Sequence, residues 1–222
     1  MVAALTAGGQ NSPQAPPKTR ATRPRAAAFL CLALVACTAC GHGPRPYAEE
    51  IAAHRARTDE FMRESPESPI PQEKRATFPP LSYFPVDPAY RVPAELEPAE
   101  GGAALEMPTS TGQRRQMRRV GTLAFTLKGQ RMTLGAFVEA GQADMRRLFV
   151  PFGDLTNGTE TYPGGRYLDL DRTATRIYDL DFNRAYHPYC LFNSTYDCPY
   201  PPQENRLKAP IRAGERLARS SR

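Results

Sequence analysis

The segment VGTLAFTLKGQRMTLGAFV (120–138) constrains the fold more than any other part of this chain. In VGTLAFTL (120–127), Leu123, Phe125 and Leu127 recur at every second position, the period of a strand with one buried face. Lys-Gly-Gln makes a tight turn, and RMTLGAFV (131–138) pairs back as the second arm of a hairpin. The same period runs through Tyr90, Val92, Ala94 and Leu96 in YRVPAELE (90–97), and through Leu148, Val150 and Phe152 in RRLFVPF (146–152). Beyond the turn pair Asn157-Gly158, GRYLDLD (165–171) and IYDLDFN (177–183) also read as strands, with Asp179 and Asp181 on the face opposite Tyr178, Leu180 and Phe182. Short strands separated by Gly, Asn and Asp turns predict a mostly β domain, an antiparallel β-sandwich or partly open barrel. The basic run RRQMRR (114–119) reads as a solvated turn leading into strand 120–127, with contact to anionic lipid headgroups as the second reading.

The chain ahead of this domain has a different character. Residues 1–25 contain Lys18, Arg20, Arg23 and Arg25 but no acidic residue, and the apolar run AAAFLCLALVA (26–36) is too short to span a bilayer as a helix. Leu34-Val35-Ala36 ahead of Cys37 resembles the lipobox of bacterial lipoproteins. Residues 1–36 are therefore expected to be a lipoprotein signal peptide, Cys37 the lipidated residue, and the Gly/Pro stretch 37–46 a lipidated tether. An ordinary signal peptide cut near Ala39 is the competing reading. Either way the protein is exported, and the lipid anchor would fix it to the bacterial cell envelope, on the periplasmic or outer-membrane face. Its first expected partner is thus the membrane.

Loss of the signal removes four positive and no negative charges, taking the net charge from +6 to +2. The basic pI then carries no argument for nucleic acid, which an exported protein would not meet. Residues 47–64 read as an N-terminal amphipathic α-helix, with Ile51, Thr58, Phe61 and Met62 near one stripe. The helix stops at Ser65-Pro66, because a residue before proline disfavours the helical region. Residues 65–217 make a single β-rich domain, and 218–222 a basic tail.

Within that domain, DFNRAYHPYCLFNSTYDCPYPPQENRL (181–207) concentrates the side chains able to do chemistry. Cys190 and Cys198, eight positions apart, are expected to form a disulfide in an oxidising compartment, worth about 2 kcal/mol for so short a loop. The spacing fits no common zinc pattern, so no metal site and no cofactor are expected. The chain has no G-x-S-x-G elbow, no H-E-x-x-H, no P-loop and no dinucleotide fingerprint, and catalytic residues cannot be assigned. Asp154, Glu160, Tyr162 and Arg166, with Asp181, Asn183, Tyr186, Glu204 and Asn205, form the candidate pocket. The competing reading of the same residues is a structural network of ion pairs and turn hydrogen bonds.

Together SPI (68–70), FPPLSYFPVDP (78–88), TSTGQ (109–113), LFVPFGDLTNGTETYPGGRYLDL (148–170), DFNRAYHPYC (181–190), CPYPPQENRL (198–207) and AGER (213–216) resemble the bacterial family of unknown function numbered 1684. The resemblance spans residues 58–217. It departs at His187, where the family pattern implies asparagine, which makes His187 a poor catalytic base. If family members without a signal exist, the resemblance also implies that Cys190 and Cys198 have a thiol or metal role as their second reading. The chain is then expected to be a membrane-anchored lipoprotein that binds an unknown small ligand or an envelope protein. The alternative is a small hydrolase-like enzyme using the Glu160 and Asp181 carboxylates, with Arg166 and Asn183 positioning substrate.

Overall fold

The computed structural model describes residues 46–102, 104–141 and 146–218. The expected signal peptide, the lipidation of Cys37, the tether up to residue 45 and tail residues 219–222 lie outside the described residues. The helix expected at 47–64 forms as α1, Tyr47–Glu64, with Ile51 and Met62 buried. It ends where Ser65 turns extended (φ −69°, ψ 137°) ahead of Pro66. A single turn, α2 (Gln72–Arg75), follows.

Seven strands build one antiparallel sheet: β1 Arg91–Pro98, β2 Ala104–Pro108, β3 Arg114–Leu127, β4 Gln130–Glu139, β5 Arg147–Phe152, β6 Arg166–Asp171 and β7 Ile177–Asp181. Its order is β6-β5-β4-β3-β1-β7, with β2 pairing to β3 beside this path. The sheet curls into a nearly closed barrel. Alternate residues of every strand on the path fill its interior, among them Leu96, Leu123, Leu134, Val150, Leu168 and Leu180. The β3–β4 turn comprises Lys128 (φ 48°) and Gly129 (φ 80°). Two successive positive φ values give the mirror-image turn whose twist matches a hairpin.

The basic run 114–119 is not a turn. It belongs to β3, because a β-bulge between Arg119 and Gly121 adds one residue and reverses the alternation. Leu123, Phe125 and Leu127 point into the barrel. Across the bulge, Met117 packs outside with Met107 and Phe137. Arg119 lies over the Phe137 ring and pairs with Glu204.

Two extended segments close the barrel end against each other. The Phe84 N–H donates to the Gly214 carbonyl at 2.9 Å, the Glu215 N–H to the Ala185 carbonyl at 2.8 Å, and the Arg216 N–H to the Ser82 carbonyl at 2.9 Å. Gly214 has φ 75°, and a Cβ there would lie 2.5 Å from the Ala185 oxygen and 2.7 Å from the Phe182 oxygen. Gly214→Ala combines left-handed strain with backbone overlap, so we expect a loss of about 2–4 kcal/mol, read from urea unfolding. Among the described residues, no helix is long and apolar enough to cross a membrane.

Candidate functional site

The residues singled out from the sequence fall into several separate groups. Asp154 and Arg166 form an ion pair of 2.9 Å with both side chains fully enclosed. Arg166 also donates to the backbone carbonyls of Ile211 (2.6 Å), Ala213 and Glu215 (3.0 Å). Asp154 Oδ1 accepts from the Thr156 N–H and hydroxyl and from the Ile211 N–H. This pair pins the C-terminal segment to the barrel and has no face left for a substrate. Glu160 pairs with Arg212 at 2.9 Å on the exposed surface.

Asp181 and Asn183 tie three elements together at the end of β7. Asp181 Oδ1 accepts from the Tyr47 hydroxyl of α1 at 2.8 Å and from the Asn183 N–H at 3.0 Å. The Asn183 amide bonds both the N–H and the carbonyl of Asp87. The carboxylates of the hydrolase reading, Glu160 and Asp181, therefore share no partner, and Arg166 joins neither. Glu204 holds Arg119, and Asn205 bonds the backbones of β4 and β5.

Cys190 and Cys198 are free thiols, so the expected disulfide is corrected. The Cys198 sulfur accepts the Cys190 N–H at 3.1 Å, while the Cys190 thiol reaches toward the Tyr162 hydroxyl at 3.8 Å. Burial, then the hydrogen bond with Cys190, pushes the Cys198 thiol up to about 12, which leaves it protonated and unreactive at neutral pH. His187 is buried with both ring nitrogens engaged: Nδ1 lies 3.4 Å from Glu215, and Nε2 accepts the Tyr162 N–H at 3.3 Å. It orders the loop and is not poised as a base.

What remains open is a cleft of about 1040 Å³ between α1, the outer face of β5 and β6, and the segment 186–192. His54, Thr58 and Phe61 of α1 form one side, Phe149, Tyr167 and Asp169 the sheet side, and Tyr186, Tyr189 and Phe192 much of the rest. Asp181 and Asn183 line it as well, but of the other expected pocket residues only Tyr186 does. The register places Phe149 opposite Asp169, and Tyr167 follows two positions along β6 on the same face. The Tyr186 hydroxyl donates to Asp169 Oδ2 at 2.9 Å.

Asp169 is open to solvent on the outer face of β6, and partial loss of hydration against its neighbours raises its pKa, against the pull of the Tyr186 hydrogen bond. Burial, reinforced by the Asp169 charge, raises Tyr186 well above its ordinary value, so its hydroxyl stays a donor. Among the described residues, no group of three or more His, Cys, Asp or Glu side chains is placed to hold a metal ion. In the strand GRYLDLD, alternation sets Tyr167 and Asp169 on the face opposite Leu168 and Leu170, though neither was singled out from the sequence. That outward pairing of a ring and a carboxylate was the available signal for the site.

The family described as "Protein of unknown function (DUF1684)" matches residues 76–216. The chain is also similar to an uncharacterized protein of Haloarcula marismortui whose structure was solved by NMR in solution. The two share 40% identity, cover 76% of this chain and 93% of that one, and superpose with a TM-score of 0.61. No curated protein matches.

Proposed function

We propose, for a chain that belongs to the DUF1684 family of proteins of unknown function, a role as an exported binding module, held at the membrane through lipidated Cys37 and carrying a small ligand in the cleft. The single observation behind the ligand is the cleft itself: about 1040 Å³, with the rings of Phe149, Tyr167, Tyr186, Tyr189 and Phe192 set among charged groups in its walls, and a carboxylate of raised pKa at the sheet side. A concave site in which apolar and aromatic walls carry convergent polar groups is the usual form of a small-molecule site. The membrane part rests on the sequence alone, on the apolar run 26–36 and Leu-Val-Ala ahead of Cys37. Binding is preferred to catalysis because His187, Asp154, Glu160 and Arg166 all spend their functional groups on partners within the protein.

The test is native mass spectrometry of the full chain, expressed for export and purified in detergent. The expected result is a lipid-modified protein with a co-purifying small molecule that disappears in Phe149→Ala. Cys37→Ala is expected to lose the lipid mass and keep the small molecule. A ligand-free protein, or a ligand retained in Phe149→Ala, would sink the binding reading.

A further inference from the structure

We infer that the ligand of this cleft presents an alkylammonium group, seated among the rings of Phe149, Tyr167 and Tyr186 with the Asp169 carboxylate as its counter-ion. The inference rests on the binding-module reading above and names the chemistry of its ligand.

Three aromatic residues meet there at near right angles. The Phe149 and Tyr167 rings are 4.7 Å apart at 74°, and those of Tyr167 and Tyr186 are 5.8 Å apart at 88°. Perpendicular rings make corners, and all three residues line the same cleft. Ring faces carry the negative end of the aromatic quadrupole, so such a corner attracts cations and repels anions. Asp169 adds a full negative charge beside it, fixed by the Tyr186 hydroxyl.

The charge balance of the cleft supports the same sign. Arg115 pairs with Asp197, Arg147 lies 3.3 Å from Asp171, Arg184 pairs with Asp181 and Glu50, Arg91 takes Asp179, and His187 takes Glu215. Asp169 is held by a neutral phenol, and among the described residues it forms no salt bridge. A cation that enters would add its attraction to that of Arg147 and offset the desolvation that now raises this carboxyl. A bare metal ion is a poor match, because rings offer no oxygen ligands to replace its water. A weakly hydrated cation with carbon substituents suits both the rings and the carboxylate. Such a group occurs in free amines and in the headgroups of phospholipids, and a protein tethered at a membrane would meet both.

The experiment uses the exported full chain in detergent, with choline chloride and tetramethylammonium chloride as probes in isothermal titration calorimetry. Saturable binding is expected, weakened by about tenfold or more in Asp169→Asn, because the rings alone hold a cation less well. Asp169 is open to solvent, so this variant should keep the thermal unfolding of the parent. Tyr186→Phe retains the ring and should lose less than Asp169→Asn. Co-sedimentation with phosphatidylcholine vesicles but not with phosphatidylglycerol vesicles would assign the group to a lipid headgroup. Choline binding without co-sedimentation would assign it to a free amine.

Silence toward both probes, or binding that Asp169→Asn leaves intact, overturns the inference. If native mass spectrometry meanwhile finds an anionic or neutral molecule in the cleft, the binding module stands and the cation does not. An empty cleft with no response to either probe removes both.

Discussion

Asp154→Ala is expected to destabilise the domain by about 3–5 kcal/mol, the cost of leaving a buried charge without its partner. Arg166 is fully enclosed; burial lowers its pKa and the Asp154 charge opposes that, and a guanidinium starts so high that it stays charged at neutral pH. The Phe84 and Phe152 rings, 5.8 and 5.2 Å from the guanidinium, cannot replace a carboxylate. The same substitution strips acceptors from the Thr156 and Ile211 N–H groups, so the loop at 154–161 and the segment at 211–215 lose a shared anchor. For a domain of this size the melting temperature should fall by roughly 10 °C in calorimetry. The double change Asp154→Ala with Arg166→Met removes the stranded charge but also takes the donors from the Ile211, Ala213 and Glu215 carbonyls, so it should recover only part of that loss. Glu160→Gln breaks an exposed pair with Arg212 and should cost less than about 1 kcal/mol. A fall as small for Asp154→Ala as for Glu160→Gln would refute the assignment of Asp154–Arg166 as the central clamp.

The contrast between these two pairs shows what the sequence could and could not reveal. It identified Asp154, Glu160 and Arg166 as charged groups in one stretch of chain, because turn and strand chemistry is local, but it did not single out Arg212. It could not say that Arg166 turns inward beneath the C-terminal segment while Glu160 faces water. That depends on residues 211–215 returning from some 45 positions away. The strands themselves were legible because a period of two survives in any half-buried sheet. RRQMRR was misread where the bulge at residue 120 reverses that period, so a charged outer face looked like a turn. The cysteines were misjudged because proximity in sequence does not fix where the sulfurs point, and Cys198 instead receives a backbone N–H. The cleft draws its walls from His54 to Glu215, a span over which no local pattern runs.

Asn205→Ala is the second change expected to cost several kcal/mol, and its reason lies in the pairing of β4 with β5. Phe137 faces Phe149, and two residues further along each antiparallel strand lie Gly135 and Pro151, which Asn205 joins. Proline has no N–H to give, and the ladder would break there. The Asn205 side chain fills the break: its Oδ1 accepts the Gly135 N–H at 2.6 Å, and its Nδ2 donates to the Gly135 carbonyl at 2.9 Å and the Pro151 carbonyl at 2.6 Å. Gly135 is small enough to admit it, since a Cβ would come 2.8 Å from the Phe137 ring and 3.2 Å from the Asn205 oxygen. Alanine leaves three buried backbone groups unpaired, at about 1–3 kcal/mol each before water or relaxation recovers part, so we expect a loss of about 3–5 kcal/mol. Hydrogen exchange by NMR should also show the Gly135 amide losing its protection.

Asn205→Asp separates the hydrogen-bond argument from simple packing, because the shapes are nearly equal. An ionised carboxylate still accepts from Gly135 but faces two carbonyl oxygens with no proton to offer. Its pKa in the folded state should therefore rise above the unfolded value, since only the protonated acid can donate. The variant should then be closest to the parent at pH values below the unfolded pKa, and lose stability as pH rises through the folded one. A loss independent of pH would mean that the space Asn205 fills, and not the bonds it makes, joins the two strands.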